Sequence, residues 1–114
     1  MIRALILGIL LFPVIVFAQT GLDTKSKKAT ELYVEADNFR VRGQYAEAIN
    51  ALTQAIQKDK KFTEAYYRLG IVYRSMKDYQ RAINNFKYAL TLTEDIRKKK
   101  MIWFDLGDAY MVSG

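Results

Sequence analysis

The chain has 114 residues, neither cysteine nor histidine, and 18 basic against 12 acidic side chains, which gives a formal net charge of +6. The absence of Cys and His excludes disulfides, thiol nucleophiles, serine–histidine pairs, haem ligation through His and zinc sites built from these residues. The length allows one small domain. The six glycines lack the spacing of a phosphate-binding loop. We therefore expect neither an enzyme nor a cofactor-binding protein.

Residues 1–18 predict a secretory signal peptide. Arg3 precedes an apolar run of 15 residues, from Ala4 to Ala18, which is shorter than the roughly 17–25 residues of a membrane-spanning helix. Pro13 would kink or break a helix within that run. Small residues at its end predict cleavage between Ala18 and Gln19. Because the segment resembles signals of Gram-negative envelope proteins, we expect export to the periplasm or the outer membrane; a retained membrane anchor is the alternative.

Residues 19–28 are polar without apolar periodicity, which predicts a flexible leader. From Ala29 onward the sequence repeats, because Tyr45–Ala55 and Tyr79–Ala89 share residues at a spacing of 34. Each unit has two apolar stripes with a period near 3.6, separated by a short polar break. Small residues such as Gly70 and Ala82 occur where two helices would touch. The pattern predicts an all-α chain of antiparallel helix pairs joined by tight turns.

The motif W-x2-L-G-x2-Y is present at Trp103–Tyr110 and, with Tyr in place of Trp, at Tyr66–Tyr73. The chain therefore resembles the tetratricopeptide repeat (TPR) family from about residue 29 to residue 114. The resemblance implies an α-solenoid with full repeats at 29–62 and 63–96, and a partial repeat at 97–114 whose helix covers about 100–114. The first repeat matches the motif less well. Leu69 and Leu106 are 37 residues apart rather than 34, so three extra residues near Asp95–Lys99 lengthen a helix or a loop.

The last helix carries an apolar face formed by Trp103, Leu106 and Tyr110, which the second helix of a repeat would normally bury. Repeat arrays usually end in a polar capping helix. We therefore expect the chain to be the N-terminal part of a longer envelope protein, in which the resemblance suggests a following propeller or a peptidoglycan-binding domain similar to outer membrane protein A. Self-association through this face is the alternative.

The resemblance to the family also implies that a concave groove is lined by the fifth, ninth and twelfth residues of each repeat. These positions hold Tyr33, Asp37 and Arg40, then Tyr67, Ile71 and Arg74, then Phe104, Asp108 and Met111. We expect an aromatic ladder with neighbouring guanidinium groups, suited to a peptide or partner helix; alternatively, these side chains pack against neighbouring repeats. Relatives that clamp chaperone tails use Lys or Arg at the fifth place and Asn at the ninth. Chaperone-tail binding is therefore not expected here.

Two basic runs, Lys58–Lys61 and Arg97–Lys100, raise nucleic-acid binding as another hypothesis. Both runs are predicted to lie near the ends of second helices, where the helix dipole favours cations without any ligand. We therefore expect a protein or peptide partner and no nucleic acid. Attraction of the basic runs to the outer membrane or to cell-wall polymers is compatible with an exported protein.

Overall fold

The computed structural model describes residues 21–114, and five α-helices account for most of this range. The helices are α1 (Lys27–Val41), α2 (Tyr45–Lys58), α3 (Thr63–Ser75), α4 (Tyr79–Leu92) and α5 (Ile96–Val112). The pairs α1–α2 and α3–α4 form two units, and α5 begins a third. This confirms the predicted all-α helical repeat. The predicted signal peptide and Gln19 lie outside the described residues. Among the described helices, none has the length and apolar character needed to span a membrane.

Short polar side chains begin three of the five helices by capping free backbone N–H groups. The Ser26 hydroxyl and the Asp78 carboxylate each accept a hydrogen bond from the N–H three residues later, at 3.1 and 3.2 Å. Asp95 accepts from the N–H two residues later at 2.9 Å. Such caps satisfy donors that have no partner within the helix. The starts of α1, α4 and α5 are therefore encoded locally.

The turn between paired helices has the same geometry in both complete units. Gly43 has a φ of +75°, and Lys77, the equivalent residue of the next unit, has a φ of +64°. In both turns the N–H of this residue donates a hydrogen bond to the carbonyl oxygen three residues earlier at 2.9 Å. The N–H of the following residue donates to the carbonyl oxygen five residues before it, also at 2.9 Å. The left-handed region favours glycine, so the second unit places a lysine where the backbone suits a glycine.

The core consists of two neighbouring clusters of buried side chains. The first joins α1, α2 and α3, and Leu52 and Phe62 are its largest fully buried members. The second joins α3, α4 and α5 around Phe86. Gly70 lies directly against Phe86, because a Cβ built on Gly70 would be 2.4 Å from the ring. The predicted close contact at this small residue is therefore confirmed.

The structure corrects two boundaries that the sequence suggested. Lys27 and Lys28, assigned to the flexible leader, are the first residues of α1. Upstream of them, Asp23 accepts a hydrogen bond from the Thr63 hydroxyl at 2.7 Å, so part of the leader is attached to the repeats. The last helix begins at Ile96 rather than near residue 100, and it has 17 residues against 13 in α3. The extra residues between the second and third units thus lengthen a helix rather than a loop.

The second basic run does not lie near the end of a second helix, as the sequence had predicted. Helix α4 ends at Leu92, and the run Arg97–Lys100 lies at the start of α5. Cations are disfavoured there by the helix dipole, so the dipole does not explain this run. The explanation holds for Lys58, which occupies the last turn of α2.

Candidate functional site

The predicted groove residues form one stripe on each of the first helices α1, α3 and α5, and we call the three stripes together the groove face. Their members are Tyr33, Asp37 and Arg40 on α1, Tyr67, Ile71 and Arg74 on α3, and Phe104, Asp108 and Met111 on α5. Polar contacts connect α1 with α3 and α3 with α5 along this surface. The groove face is therefore one connected surface.

The contact between α3 and α5 is a polar network centred on Asp105. Arg74 Nη1 donates to Asp105 Oδ1 at 2.9 Å and to Asp108 Oδ2 at 3.3 Å. The Tyr67 hydroxyl donates to Asp105 Oδ2 at 2.5 Å. Sequence reasoning did not single out Asp105 for the groove, because it follows Phe104 in the chain and is not one of the three groove positions of α5. The network holds α5 against α3 and leaves the Arg74 guanidinium shared between two carboxylates.

Tyr67 offers little surface to a partner, because only 9% of it is exposed. Its ring lies against Phe86 of α4, with the ring centroids 5.8 Å apart. Burial raises the pKa of Tyr67 far above its usual value, and the hydrogen bond to Asp105 raises it further. The phenol is therefore a stable proton donor within the network. For this residue the structure supports the alternative of packing against neighbouring helices.

Arg68, which the sequence analysis missed, makes polar contacts between α3 and α1. Arg68 Nη2 donates to the Tyr33 hydroxyl at 2.7 Å, and Arg68 Nε lies 3.4 Å from Asp37 Oδ1. Its guanidinium also lies over the Tyr33 and Tyr67 rings, 5.4 and 5.9 Å from their centroids. Arg68 thus connects two members of the predicted ladder. Nothing local in the sequence marks a partner 35 residues away.

The guanidinium groups that neighbour the aromatic residues of the groove face are already paired with carboxylates of the chain. Arg40 is paired with Asp37 at 2.8 Å, and Arg74 is paired as described above. In contrast, Phe104 and Met111 are 78% and 82% exposed. The Asp108 carboxylate is also half-exposed. What remains accessible is a pair of large apolar side chains beside carboxylates.

A second polar cluster ties the residues before α1 to the starts of α3 and α5. We call it the Lys98 cluster; its members are Asp23, Thr63, Glu64 and Lys98. Lys98 Nζ lies 2.5 Å from Asp23 Oδ1, 2.8 Å from Glu64 Oε2 and 2.7 Å from the carbonyl of Gly21. The Asp23 N–H donates to Glu64 Oε1 at 2.8 Å. This cluster accounts for the lysine at the start of α5.

Both charged ends of the Lys98 cluster have shifted pKa values. Burial by itself raises the pKa of Asp23, but hydrogen bonds from Lys98 and Thr63 outweigh it, and the pKa lies below its usual value. Burial similarly lowers the pKa of Lys98, but hydrogen bonds to Asp23 and Glu64 outweigh it and raise the pKa. Both shifts favour the charged forms, so the cluster is an ion pair at neutral pH.

Helix α5 also carries the apolar face that the sequence predicted. Trp103 and Tyr110 are about half exposed, at 50% and 49%, and Leu106 is half-buried. On the adjoining side of the same helix, Ile102 and Ala109 are buried in the second core cluster, against which Leu106 also packs. The helix is thus covered on one side only among the described residues.

No part of the described range suggests a metal centre. Among residues 21–114, no group of three or more His, Cys, Asp or Glu side chains is arranged to hold a metal ion. The neighbouring carboxylates of Asp105 and Asp108 both pair with Arg74.

Comparison with known families agrees with the helix pairs and their spacing. A family model described as "TPR repeat" matches residues 36–77, and one described as "Tetratricopeptide repeat" matches residues 63–95. The chain belongs to the tetratricopeptide repeat family. This family is a protein-interaction scaffold rather than a catalytic fold.

Two curated relatives share the repeats but are much longer proteins. The Caenorhabditis elegans cell division cycle protein 27 homolog is 33% identical over 88 residues, covering 75% of this chain and 11% of that protein. Bos taurus neutrophil cytosol factor 2 is 36% identical over 53 residues, covering 46% of this chain and 10% of that protein. The TPR chain thus spans about a tenth of the length of these relatives.

Solved structures show the same helical repeat. The crystal structure of MamA matches with a TM-score of 0.70 and 26% identity, covering 76% of this chain and 49% of that one. The second TPR of Spaghetti (RPAP3), bound to the HSP90 peptide SRMEEVD, matches with a TM-score of 0.69 and 20% identity, covering 77% and 79%. The latter likeness concerns the fold alone.

Proposed function

We propose that this TPR chain is a protein-interaction module whose groove face binds a peptide or a helix of a partner protein. The observation that carries the proposal is the pair of large, exposed apolar side chains, Phe104 and Met111, at one end of a face that internal ion pairs hold in place. Exposed aromatic and methionine side chains are typical anchors of protein interfaces. Ile71, half-buried on the α3 stripe, extends the apolar surface towards α1.

The charges of the groove face favour an apolar segment with basic groups over an acidic one. Arg40 and Arg74 already have carboxylate partners within the face, whereas Asp37 and Asp108 keep part of their carboxylates exposed. An acidic tail such as the HSP90 peptide in the Spaghetti (RPAP3) structure would meet these carboxylates and be repelled. We therefore expect the partner segment to present large apolar residues and at least one lysine or arginine.

A peptide selection would test this proposal directly. Random 12-residue peptides displayed on phage would be selected against the immobilised chain, and enriched peptides would be synthesised and titrated. We expect apolar residues and Lys or Arg to be enriched. Ile71→Arg or Phe104→Ala should weaken binding by about tenfold, because each removes apolar contact in the face.

The matched control for these substitutions is Tyr88→Ala. Tyr88 lies on α4 rather than on a groove stripe and is also exposed, so its loss should not change peptide binding. Enrichment of acidic peptides would contradict the proposed charge preference. Enriched peptides that bind Ile71→Arg and Phe104→Ala as tightly as the original chain would contradict the groove itself.

We also propose that the module is exported to a bacterial envelope as the N-terminal part of a longer protein, such as one with a peptidoglycan-binding domain. Support comes from Arg3, the apolar run up to Ala18, and the relatives' greater length. Intact mass with mapping of terminal peptides on native protein from an envelope fraction would test it. A mature chain starting at Gln19 and extending past Gly114 is expected; an unprocessed start at Met1 would contradict cleavage.

A further inference from the structure

Three separate segments of the chain meet along one edge of the solenoid, which we call the basic edge. They are residues 21–28, which lead into α1, residues 58–64 between α2 and α3, and residues 93–100 between α4 and α5. The Lys98 cluster connects all three, because Lys98 Nζ donates to the Gly21 carbonyl at 2.7 Å and lies 2.8 Å from Glu64 Oε2. The segments are therefore parts of one surface.

The basic edge carries the whole net charge of the described residues. Its three segments contain ten basic and five acidic side chains, which gives a net charge of +5. The remainder of residues 21–114 contains seven of each and has no net charge. The two basic runs noted in the sequence thus belong to one charged surface, together with three lysines before and at the start of α1.

Most cations of the basic edge are available to a ligand. Eight of the ten, all except Lys98 and Lys99, are exposed. None of these eight forms an ion pair within residues 21–114. The groove face differs, since Arg40 and Arg74 are both paired there. A cluster of unpaired cations attracts an extended anionic partner.

The uncharged side chains of the basic edge favour a lipid surface over a nucleic acid. Single-stranded nucleic acids are bound by cations together with exposed aromatic side chains on which bases stack. The three segments contain one aromatic residue, Phe62, and it is fully buried. Their exposed large hydrophobic residue is instead Ile96, which is 56% exposed. An aliphatic side chain among lysines suits the boundary between lipid headgroups and acyl chains.

The apolar run of the sequence adjoins the same edge. Its last residue, Ala18, is three residues before Gly21, and three residues span at most about 11 Å. Lys98 fixes the Gly21 carbonyl at the start of α5. When such a run enters a bilayer, as a signal peptide or an anchor does, the basic edge is therefore held at the lipid headgroups.

We propose that the basic edge binds the surface of a membrane that contains anionic lipids. In this arrangement α1, α3 and α5 begin at the membrane and extend away from it. The eight unpaired cations contact the headgroups, and Ile96 lies among them. The groove face runs along the sides of the same helices and stays open to a partner, so this binding does not depend on the groove.

Partitioning of the whole chain into vesicles would test the proposal. One set of vesicles would consist of phosphatidylcholine, and the other of equal parts phosphatidylcholine and phosphatidylglycerol. The apolar run binds to both sets, so the measured quantity is the ratio of the two partition coefficients. Lys25→Gln, Lys60→Gln and Arg97→Gln combined, one from each segment, should lower this ratio by about tenfold or more, since each cation near an anionic surface contributes roughly fivefold.

The matched control is the combination of Arg42→Gln, Lys77→Gln and Lys87→Gln. These three cations are also exposed and form no ion pair among the described residues, but they lie outside the basic edge. Their loss changes the net charge by the same amount and should change the ratio by less than about twofold, because salt screens distant charges. Circular dichroism would confirm that both combined variants fold.

Three results would overturn the proposal. The first is a ratio close to one for the original chain. The second is an equal loss in the two combined variants, which would assign the attraction to net charge rather than to the edge. The third is tighter binding to a single-stranded oligonucleotide than to the anionic vesicles, lost in the edge variant alone. In that case the partner of the basic edge would be a nucleic acid.

Discussion

Helices α3 and α5 carry the same motif, yet they differ in how their glycines are used. Gly70 on α3 is closed by Phe86, whereas Gly107 on α5 faces open space. Leu69 is buried, and its equivalent Leu106 is only half-buried. The motif therefore encodes a helix and the shape of its contact face, whereas the side chain that closes the glycine is supplied by the following helix. The contribution of equivalent motif residues to the free energy of unfolding should therefore differ between α3 and α5.

The largest difference is expected for the motif leucines. Leu69→Ala removes a buried side chain and leaves a cavity, which should lower the free energy of unfolding by about 3 kcal/mol. Leu106→Ala removes a half-buried side chain without a closed cavity and should cost about 1 kcal/mol. Urea denaturation of both variants would measure the difference. Equal losses of stability would mean that Leu106 is as buried in solution as Leu69, and the contrast between α3 and α5 would then not hold.

Replacing the two motif glycines by alanine should change the free energy of unfolding in opposite directions. A methyl group at Gly70 would lie 2.4–2.9 Å from three atoms of the Phe86 ring, so Gly70→Ala forces the helices apart and should cost about 2 kcal/mol. Gly107→Ala meets nothing within 4 Å and gains helix propensity, so it should stabilise the chain by up to about 1 kcal/mol. Thermal denaturation of the Gly70→Ala and Gly107→Ala variants would measure both changes. A lower melting temperature for Gly107→Ala would show that the space beside Gly107 is occupied.

The sequence predicted much of the fold because its signals are local or repeated. The spacing of 34 and the apolar period fixed five helices and their pairing, and the small residue at Gly70 indicated a close contact. Boundaries set by caps were predicted less well. Asp95 begins α5 one turn earlier than the motif suggested, because capping depends on a single side chain outside the repeated pattern.

The groove face was predicted less completely, since its contacts join distant residues. The predicted stripes lie on α1, α3 and α5, but their arginines form ion pairs with carboxylates of the same chain. Arg74 pairs with Asp105 across 31 residues, and Arg68 bonds Tyr33 across 35. The Lys98 cluster spans 75 residues between Asp23 and Lys98. Neither periodicity nor motif carries such pairings, because they depend on how consecutive units stack.

A third comparison contrasts two lysines at the start of α5, Lys98 inside the Lys98 cluster and Lys100 outside it. The cluster connects the start of α5 to α3 and to the residues before α1. Lys98→Met keeps the apolar stem but leaves the Asp23 and Glu64 carboxylates without their cation. We expect a loss of about 1–2 kcal/mol at pH 7, measured by urea denaturation. Lys100→Met, at an exposed position of the same run, is the matched control and should change stability little.

The pH dependence of that loss follows from the two pKa shifts. The pKa of Asp23 is lowered in the folded state, so its contribution is present above the ordinary value of 3.8 and disappears as the pH falls through the folded value. The pKa of Lys98 is raised, so its contribution is present below 10.5 and disappears as the pH rises through the folded value. The difference between the original chain and Lys98→Met should be constant between these limits and shrink below about pH 4. A difference that persists at lower pH would contradict the ion-pair account.

The smallest expected effect concerns the turns, where the first and second units differ by one residue. Lys77 adopts a φ of +64°, and Gly43 adopts +75° in the equivalent place. Lys77→Gly should raise the free energy of unfolding by about 0.5–1 kcal/mol, because it relieves a left-handed backbone at a non-glycine residue. Gly43→Ala should lower it by a similar amount, and the strain would come from the backbone alone, since an added Cβ meets nothing within 4 Å. Thermal denaturation of the two variants would measure both changes. If Lys77→Gly failed to stabilise the chain while Gly43→Ala destabilised it, Lys77 would be offsetting its strain by contacts within the turn, and the two units would not be equivalent there.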